Sequence, residues 1–286
     1  MANDSILTSI ENQVLTVTIN RPEKRNSLTA DMMFQLADII KTVNEDDDVR
    51  CVVVTATGDY FCAGFDVSGG GAAFDILGER FDKDSFNKDK VNQVSSGSQI
   101  GLSIYNSYKP VIAAINGPAA GVGATMILPM DFRLMSDTAK IGYVFTRRGV
   151  VPEAGSSWLL PRVVGLTKAS DWLITGRMID ASEALESGLV NSVHKPEDLL
   201  SAAYAIARDI VENTSAVSVA CTRQLLLRMA GEPDVSLAAA YESVCFGYMA
   251  SSAEAEEGVM SFLEKRPPQF PGKVSKDMPV VFPWWK

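Results

Sequence analysis

Along the chain the spacing of apolar residues switches between period two, unbroken runs and helical periodicity. Ile6–Ile10 and Val14–Ile19 alternate around Glu11-Asn12 and predict a hairpin ended by Asn20-Arg21-Pro22. Thr29 is placed to cap an amphipathic helix from Ala30 to about Asn44, which runs out in the acidic stretch Glu45–Asp48. Cys51–Thr55 and Pro110–Ile115 have the continuous apolar character of buried strands. A Gly-rich turn then leads into an expected buried helix, Ala119–Leu128, followed by strand Asp131–Met135 and an extended piece, Lys140–Tyr143. Asp66–Ser107 shows the weakest pattern. Ser68-Gly69-Gly70-Gly71 opens it, charges fill Glu79–Lys90, and Val94–Tyr108 turns helical towards its end, so a mobile loop is expected there.

The repeated order of strands and helices suggests stacked β-β-α units, since parallel pairing needs crossover connections. Beyond Leu166 the pattern becomes helix after helix: Thr167–Thr175, Ala181–Ser187, Pro196–Asn213, Ala216–Met229, Ser236–Ala250 and Ala253–Lys265, interrupted by a short strand, Val190–Val193. The division this implies is a core over residues 1–195 and a helical region with a tail over 196–286. Pro267–Lys286 combines prolines with aromatics, which suits packing on a neighbouring subunit.

A chain of 286 residues with 47% hydrophobic content buries a full core. Its formal net charge of -9 excludes nucleic acid as the main partner. The first residues lack the build of a secretory or transit leader, so a cytoplasmic location is expected. Val111–Met130 has the length of a membrane span, but Asn116, Pro118, Pro129 and its glycines favour a buried strand-turn-helix, and no membrane partner is expected. Cys51, Cys62, Cys221 and Cys245 form no CxxC pair and His194 is the only histidine, which argues against a zinc site and a Ser-His-Asp triad.

Two stretches carry the candidate chemistry. Asp59–Asp66, DYFCAGFD, places a tight turn after a strand, and Lys109–Trp158 contains a second turn, NGPAAG, at a helix start. Backbone N–H groups at such turns stabilise a developing oxyanion. The later part of the second stretch brings one carboxylate, Glu153, in VVPEAGSSW.

At KPVIAAINGPAAG, CAGFD, ITGRMIDASEALESGLV and EGVMSFLEKRPPQF the sequence resembles the enoyl-CoA hydratase/isomerase (crotonase) family, from about Ile6 to Phe270. The resemblance implies an α/β fold, a spiral of β-β-α repeats with a helical C-terminal trimerisation region. It also implies an acyl-CoA thioester as substrate, a homotrimer or dimer of trimers, and no cofactor beyond the coenzyme A of the substrate. It places the two oxyanion N–H groups on Ala63 and Val122, with Gly64 and Gly121 beside them in the substrate site.

Members that hydrate a double bond carry two glutamates, and the matching positions here read Thr125 and Phe145. Neither side chain takes a proton from water at neutral pH. Glu153 stands where isomerases that move a double bond from C3 to C2 present their single glutamate. Pro152 and Ala154–Leu160 predict a helix start whose dipole favours the ionised form, while Phe145 and Trp158 are expected to desolvate it. Lys24-Arg25 is the expected patch for the CoA phosphates, with Lys265 and Arg266 as contributors from an adjacent subunit. Asp66 is expected to orient its turn, Cys62 to pack, and Arg147 and Arg148 to line the approach to Glu153. The resulting expectation is a double-bond isomerase. Hydration, thioester hydrolysis or halide displacement on the same scaffold are alternatives, as is a non-catalytic acyl-CoA-binding subunit.

Overall fold

The computed structural model describes residues 5–70 and 95–285. The main sheet has six strands in the order β1-β2-β3-β4-β6-β9. They are β1 (Ile6–Glu11), β2 (Val14–Ile19), β3 (Cys51–Ala56), β4 (Val111–Ile115), β6 (Phe132–Ser136) and β9 (Ser192–His194). Only the β1–β2 hairpin is antiparallel; from β2 onwards neighbours run parallel. A smaller sheet joins β5 (Ala119–Ala120), β7 (Lys140–Gly142) and β8 (Met178–Asp180).

Alternation along the central strands explains both faces of the main sheet. Val52, Val54, Val111, Ala113 and Ile115 face a core shared with Met32, Leu36 and Ile40 of α1 (Ala30–Thr42) and Ile100 and Ile104 of α2 (Ser96–Tyr105). Cys51, Val53, Ile112, Ala114 and Leu134 face the other way, onto Leu199, Ala203 and Ala207. Strands covered on both sides read as continuous apolar runs, as these do.

The helices after the small α3 (Val122–Thr125) are α4 (Ser156–Thr175), α5 (Ala181–Glu186), α6 (Pro196–Asn213), α7 (Ala216–Met229), α8 (Val235–Ala250) and α9 (Ala253–Glu264). α6 supplies the second face of the sheet. α7 is also tied to the core. Buried Arg223 donates to Asp131 Oδ2 (2.8 Å) and to the Ile104 carbonyl (2.8 Å), and Gln224 donates to the Ser107 carbonyl (2.7 Å). Carbonyls at and just beyond the end of α2 thus find further donors from a distant helix.

Several expected elements change form. The helix foreseen over Ala119–Leu128 shrinks to α3, because Ala119 and Ala120 are drawn into parallel pairing with Ile141 and Gly142 and Gly121 turns with φ 54° and ψ −124°. α4 begins eleven residues before the expected Thr167 and bends at Gly165 (φ 77°). The short strand expected at Val190–Val193 lies at Ser192–His194, and β8 has no announcing pattern. The end of the expected loop forms α2, whereas residues 71–94, with the charged stretch Glu79–Lys90, lie outside the described residues. Val111–Met130, of membrane-span length, becomes β4, β5 and α3 with their turns, and no helix among the described residues is long and apolar enough to cross a membrane.

The aromatic tail packs on its own chain rather than only presenting itself to a neighbour. Phe282 meets the Tyr108 ring (4.8 Å), Trp284 stacks on Tyr241 (5.6 Å), and the Arg228 guanidinium lies 4.4 Å from the Trp285 ring. Such pairs add stability beyond the area they bury.

Candidate functional site

Two turns, each held by the other's backbone, form one wall of the site. Cys62 donates to the Pro118 carbonyl (3.2 Å) and Ala120 donates to the Cys62 carbonyl (2.9 Å). A Cβ on Gly64, where φ is +106°, would lie 3.0 Å from the Ala120 oxygen, so the close approach requires glycine. Gly121 fixes the second turn, and Val122 follows as the first residue of α3. Its N–H donates to no group of the described residues, as expected for an unshared helix-start amide.

The first turn assigns its amides differently from the expectation. The Ala63 N–H donates to the Arg25 carbonyl (3.0 Å), so Ala63 is not an open oxyanion donor. Leu28 donates to the Gly64 carbonyl (2.8 Å) and Asp66 donates to the Leu28 carbonyl (2.9 Å). This parallel bridge between Leu28 and Phe65 directs Phe65's own N–H away from Leu28. The sequence motif CAGFD carries both possibilities. Only the hydrogen-bond alternation of the folded turn separates them.

Asp66 orients the turn, as expected. It pairs with Arg21 at 3.0 Å and accepts from the Ser68 N–H (3.0 Å), and those hydrogen bonds, Ser68's first, hold its carboxyl below the usual range. Lys24 ends a 3-10 turn, Pro22–Lys24, and stands exposed with Arg25, whose guanidinium lies 5.4 Å from the Tyr60 ring. Sequence reasoning missed buried Asn26, which accepts from the Arg21 N–H (2.7 Å) and donates to the carbonyls of Thr57 (2.8 Å) and Tyr60 (2.6 Å). It fastens the basic loop to the turn. The Cys62 thiol is fully buried and pushed up to about 12 by that burial, so it packs and does not attack.

Glu153 reaches the site from the opposite side. Ala154 and Gly155 both have positive φ (57° and 71°), and Ser156 returns its N–H (3.0 Å) and hydroxyl (2.7 Å) to the Glu153 carbonyl. α4 starts only at Ser156. Glu153 therefore lies ahead of the helix, not in its first turn, and the expected dipole is not that of α4.

A different helix supplies the contact. A Cβ on Gly97 would lie 2.1 Å from Glu153 Oε2, and one on Gly101 would lie 2.9 Å from the Ala154 oxygen. Two glycines four apart on α2 thus open a slot for the loop, and the carboxylate rests against the positive end of α2. An alanine methyl at position 97 would push the carboxylate out of that place.

Thr125 Oγ1 donates to Glu153 Oε1 (3.1 Å) and Ser95 Oγ donates to Oε2 (3.4 Å). Burial raises the Glu153 carboxyl above its ordinary value, and the hydrogen bonds from Thr125 and Ser95 pull it back down. A carboxylate held this way remains a competent base near neutral pH.

The two aromatics expected to desolvate Glu153 differ in their own burial. Trp158 is 38% exposed, edge-on to Tyr105 (6.0 Å), with the Arg162 guanidinium 3.8 Å from its ring. Phe145 is buried in the main core and precedes the 3-10 turn Thr146–Arg148. Arg147 is tied by Nε to the Thr175 carbonyl (2.8 Å) at the end of α4, while Arg266 is engaged by Glu257 (2.6 Å) and Glu264 (2.7 Å) of its own chain. Lys265 closes α9 in a left-handed conformation. Arg266 thus has partners within its own chain.

A strand-turn-helix wall with an open amide, joined through Thr125 to a buried carboxylate on a loop, can stabilise a developing oxyanion beside a proton acceptor. The chain belongs to the enoyl-CoA hydratase/isomerase family, whose model matches residues 9–273. It is 38% identical over 258 residues to enoyl-CoA hydratase AFT3-1 of Alternaria alternata, covering 90% of this chain and 82% of that one. It is 33% identical over 287 residues to 1,2-epoxyphenylacetyl-CoA isomerase of Escherichia coli (strain K12), covering 94% and 98%. Among solved structures, the enoyl-CoA hydratase from Bacillus anthracis superposes with a TM-score of 0.80 at 29% identity, over 94% of this chain and all (100%) of that one. Family and crotonase fold are thereby established, as is the standing of the protein as an enzyme of this family.

Proposed function

We propose that the protein isomerises a 3-enoyl-CoA to a 2-enoyl-CoA with Glu153 as its single acid/base. Glu153 removes a proton from C2. The electron pair moves into the thioester carbonyl, and the double bond shifts as the extended enolate takes the same proton back at C4. The charge on the thioester oxygen is held by the amide of Val122, while the Ala63 N–H is taken by the Arg25 carbonyl. Lys24 and Arg25 dock the CoA phosphates. Nothing in this sequence of proton transfers calls for a metal or redox group.

The observation that carries this reading is Thr125, which stands where a hydratase has a glutamate and here serves as a hydroxyl donor to Glu153. One carboxylate suffices for a proton moved between two carbons, whereas activating a water and protonating a carbon calls on two groups. Hydration is the second reading, favoured by the name of the Alternaria relative. Incubation with a 3-enoyl-CoA and, separately, a 2-enoyl-CoA in ¹⁸O-water tests both by product mass. We expect conversion of the first to its 2-enoyl isomer with no mass gain; a hydroxyacyl product carrying solvent oxygen would favour hydration instead.

For assembly we propose a homotrimer or a dimer of trimers in the cytoplasm. Val235 (81% exposed) and Phe246 (75%) on α8 and Phe262 (81%) on α9 leave apolar surface that a monomer rarely shows. Sedimentation should give three or six times the 30.9 kDa chain mass, and a 30.9 kDa particle would refute it.

A further inference from the structure

Both oxygens of the Glu153 carboxylate meet a hydroxyl, and each hydroxyl has another acceptor within reach. Thr125 Oγ1 lies 3.1 Å from Oε1 and 3.4 Å from the Val122 carbonyl oxygen. Ser95 Oγ lies 3.4 Å from Oε2 and 3.0 Å from Ser98 Oγ, while accepting the Ser98 N–H (3.2 Å) as the cap of α2. Thr125 has no exposed surface (0%) and its hydroxyl has no solvent to turn to.

We propose that Thr125 and Ser95 are positioning residues that act as a pair of rotating hydroxyls, donating to Glu153 when it is a base and turning to their second acceptors when it carries the substrate's proton. The inference rests on Glu153 being the acid/base. When Glu153 is ionised, one O–H bond points at each oxygen, which fixes the plane of the carboxylate and favours its charge. When a proton arrives on Oε1, Thr125 swings its own hydrogen to the Val122 carbonyl and accepts from the new carboxyl O–H. Arrival on Oε2 is met in the same way by Ser95 turning to Ser98. In neither state is a buried donor or acceptor left unpaired, so a proton resides on Glu153 between C2 and C4 without loss of hydrogen bonding.

α2 from Ser96 to Ile104, the whole of α3 and the start of α4 from Ser156 to Leu160 carry no acidic or basic side chain. The nearest charges on the chain N-terminal to Glu153 are Arg147, held at the Thr175 carbonyl, and Arg148.

Thr125→Val keeps the shape and removes the hydroxyl, and Thr125→Ser keeps the hydroxyl. The readouts are the pH dependence of kcat/KM for isomerisation and a ¹³C-carboxyl NMR titration of Glu153. With one donor lost, the ionised form is less favoured, so the rising limb and the NMR midpoint should both move to higher pH in Thr125→Val. Activity near pH 7 should fall about tenfold and recover above the limb. Thr125→Ser should restore the wild-type limb. Ser95→Gly removes the other hydroxyl at a cap position where glycine is well tolerated, and it should move the limb upward in the same direction; an unmoved limb there would overturn the pairing of the two hydroxyls.

An unmoved limb and midpoint in Thr125→Val, or an equal shift in Thr125→Ser, overturns the proposal, since a packing defect alone lowers activity or melting temperature without moving the titration. Glu153→Gln keeps the two ideas apart. If that variant still isomerises, the acid/base assignment fails; if it is inactive while Thr125→Val titrates as wild type, only the hydroxyl pair fails.

Discussion

Glu153→Gln should abolish isomerisation and leave a more stable protein. Loss of a general base alone removes about 10²–10⁴ in rate, and a residue that serves as both base and acid belongs at the upper end. The stability gain follows from the direction of the Glu153 shift, which burial sets upward. A carboxyl raised on folding favours its protonated form in the folded protein. Stability is therefore greatest below the unfolded glutamate value of about 4.3 and declines as pH rises through the folded one. Glutamine carries no charge and escapes that decline. At pH 7 the variant should melt a few degrees higher than wild type, and the gap should close in acid. Equal melting temperatures at pH 7 and pH 4, or a residual rate within tenfold of wild type, would contradict the assignment.

This expectation depends on how the site is divided between what the sequence shows and what only folding decides. Runs such as Cys51–Thr55 and Pro110–Ile115 announce the buried strands because apolar continuity is a local property, and α1 with its Thr29 cap is local too. Glu153 is singled out in sequence by the family resemblance, which marks the carboxylate in VVPEAGSSW as the candidate acid/base. The error over its helix has a physical origin. Pro152 and the small residues after it resemble a helix start, yet positive φ at Ala154 and Gly155 breaks the chain there, and the electrostatic help arrives from α2, over fifty residues earlier. Gly97 and Gly101 carry a signal, small residues four apart on one helix face, but it acquires meaning only once the partner loop is known.

Ala63 fails for a related reason. A turn offers consecutive amides alternately to either side, and the choice between them is set by the pairing of Phe65 with Leu28, a long-range contact that no spacing within CAGFD encodes. Ala119–Leu128 illustrates the same competition. Its composition favours helix, and strand pairing with Ile141 and Gly142 overrides that preference. Thr125, read in sequence only as the absence of a glutamate, becomes a positive feature when its hydroxyl is found on Glu153.

Val122→Pro should lower kcat about 10²–10³-fold while leaving KM close to wild type. The substitution deletes one N–H at the first position of a helix, where proline's missing donor and fixed φ are best tolerated. Each oxyanion donor stabilises the transition state by about 3–4 kcal/mol, more than it stabilises the ground-state carbonyl, so the loss appears in kcat. Val122→Ala trims the side chain and retains the amide, and it should turn over at a near-normal rate. Matching losses in the two variants would show that side-chain packing, not the amide, matters at 122.

The combination with Glu153→Gln adds a further check. α3 begins at Val122 and ends at Thr125, so one helical turn carries the amide proposed for the thioester oxygen at its start and the hydroxyl that meets the proposed base at its end. Three residues of α-helix rise about 4.5 Å, which fixes the spacing between the place where negative charge develops and the place where the proton resides. Groups coupled through one transition state do not contribute independently. Once Glu153 is gone the enolate is no longer formed at a useful rate, and Val122→Pro in that background should reduce the residual turnover far less than it does in the wild type.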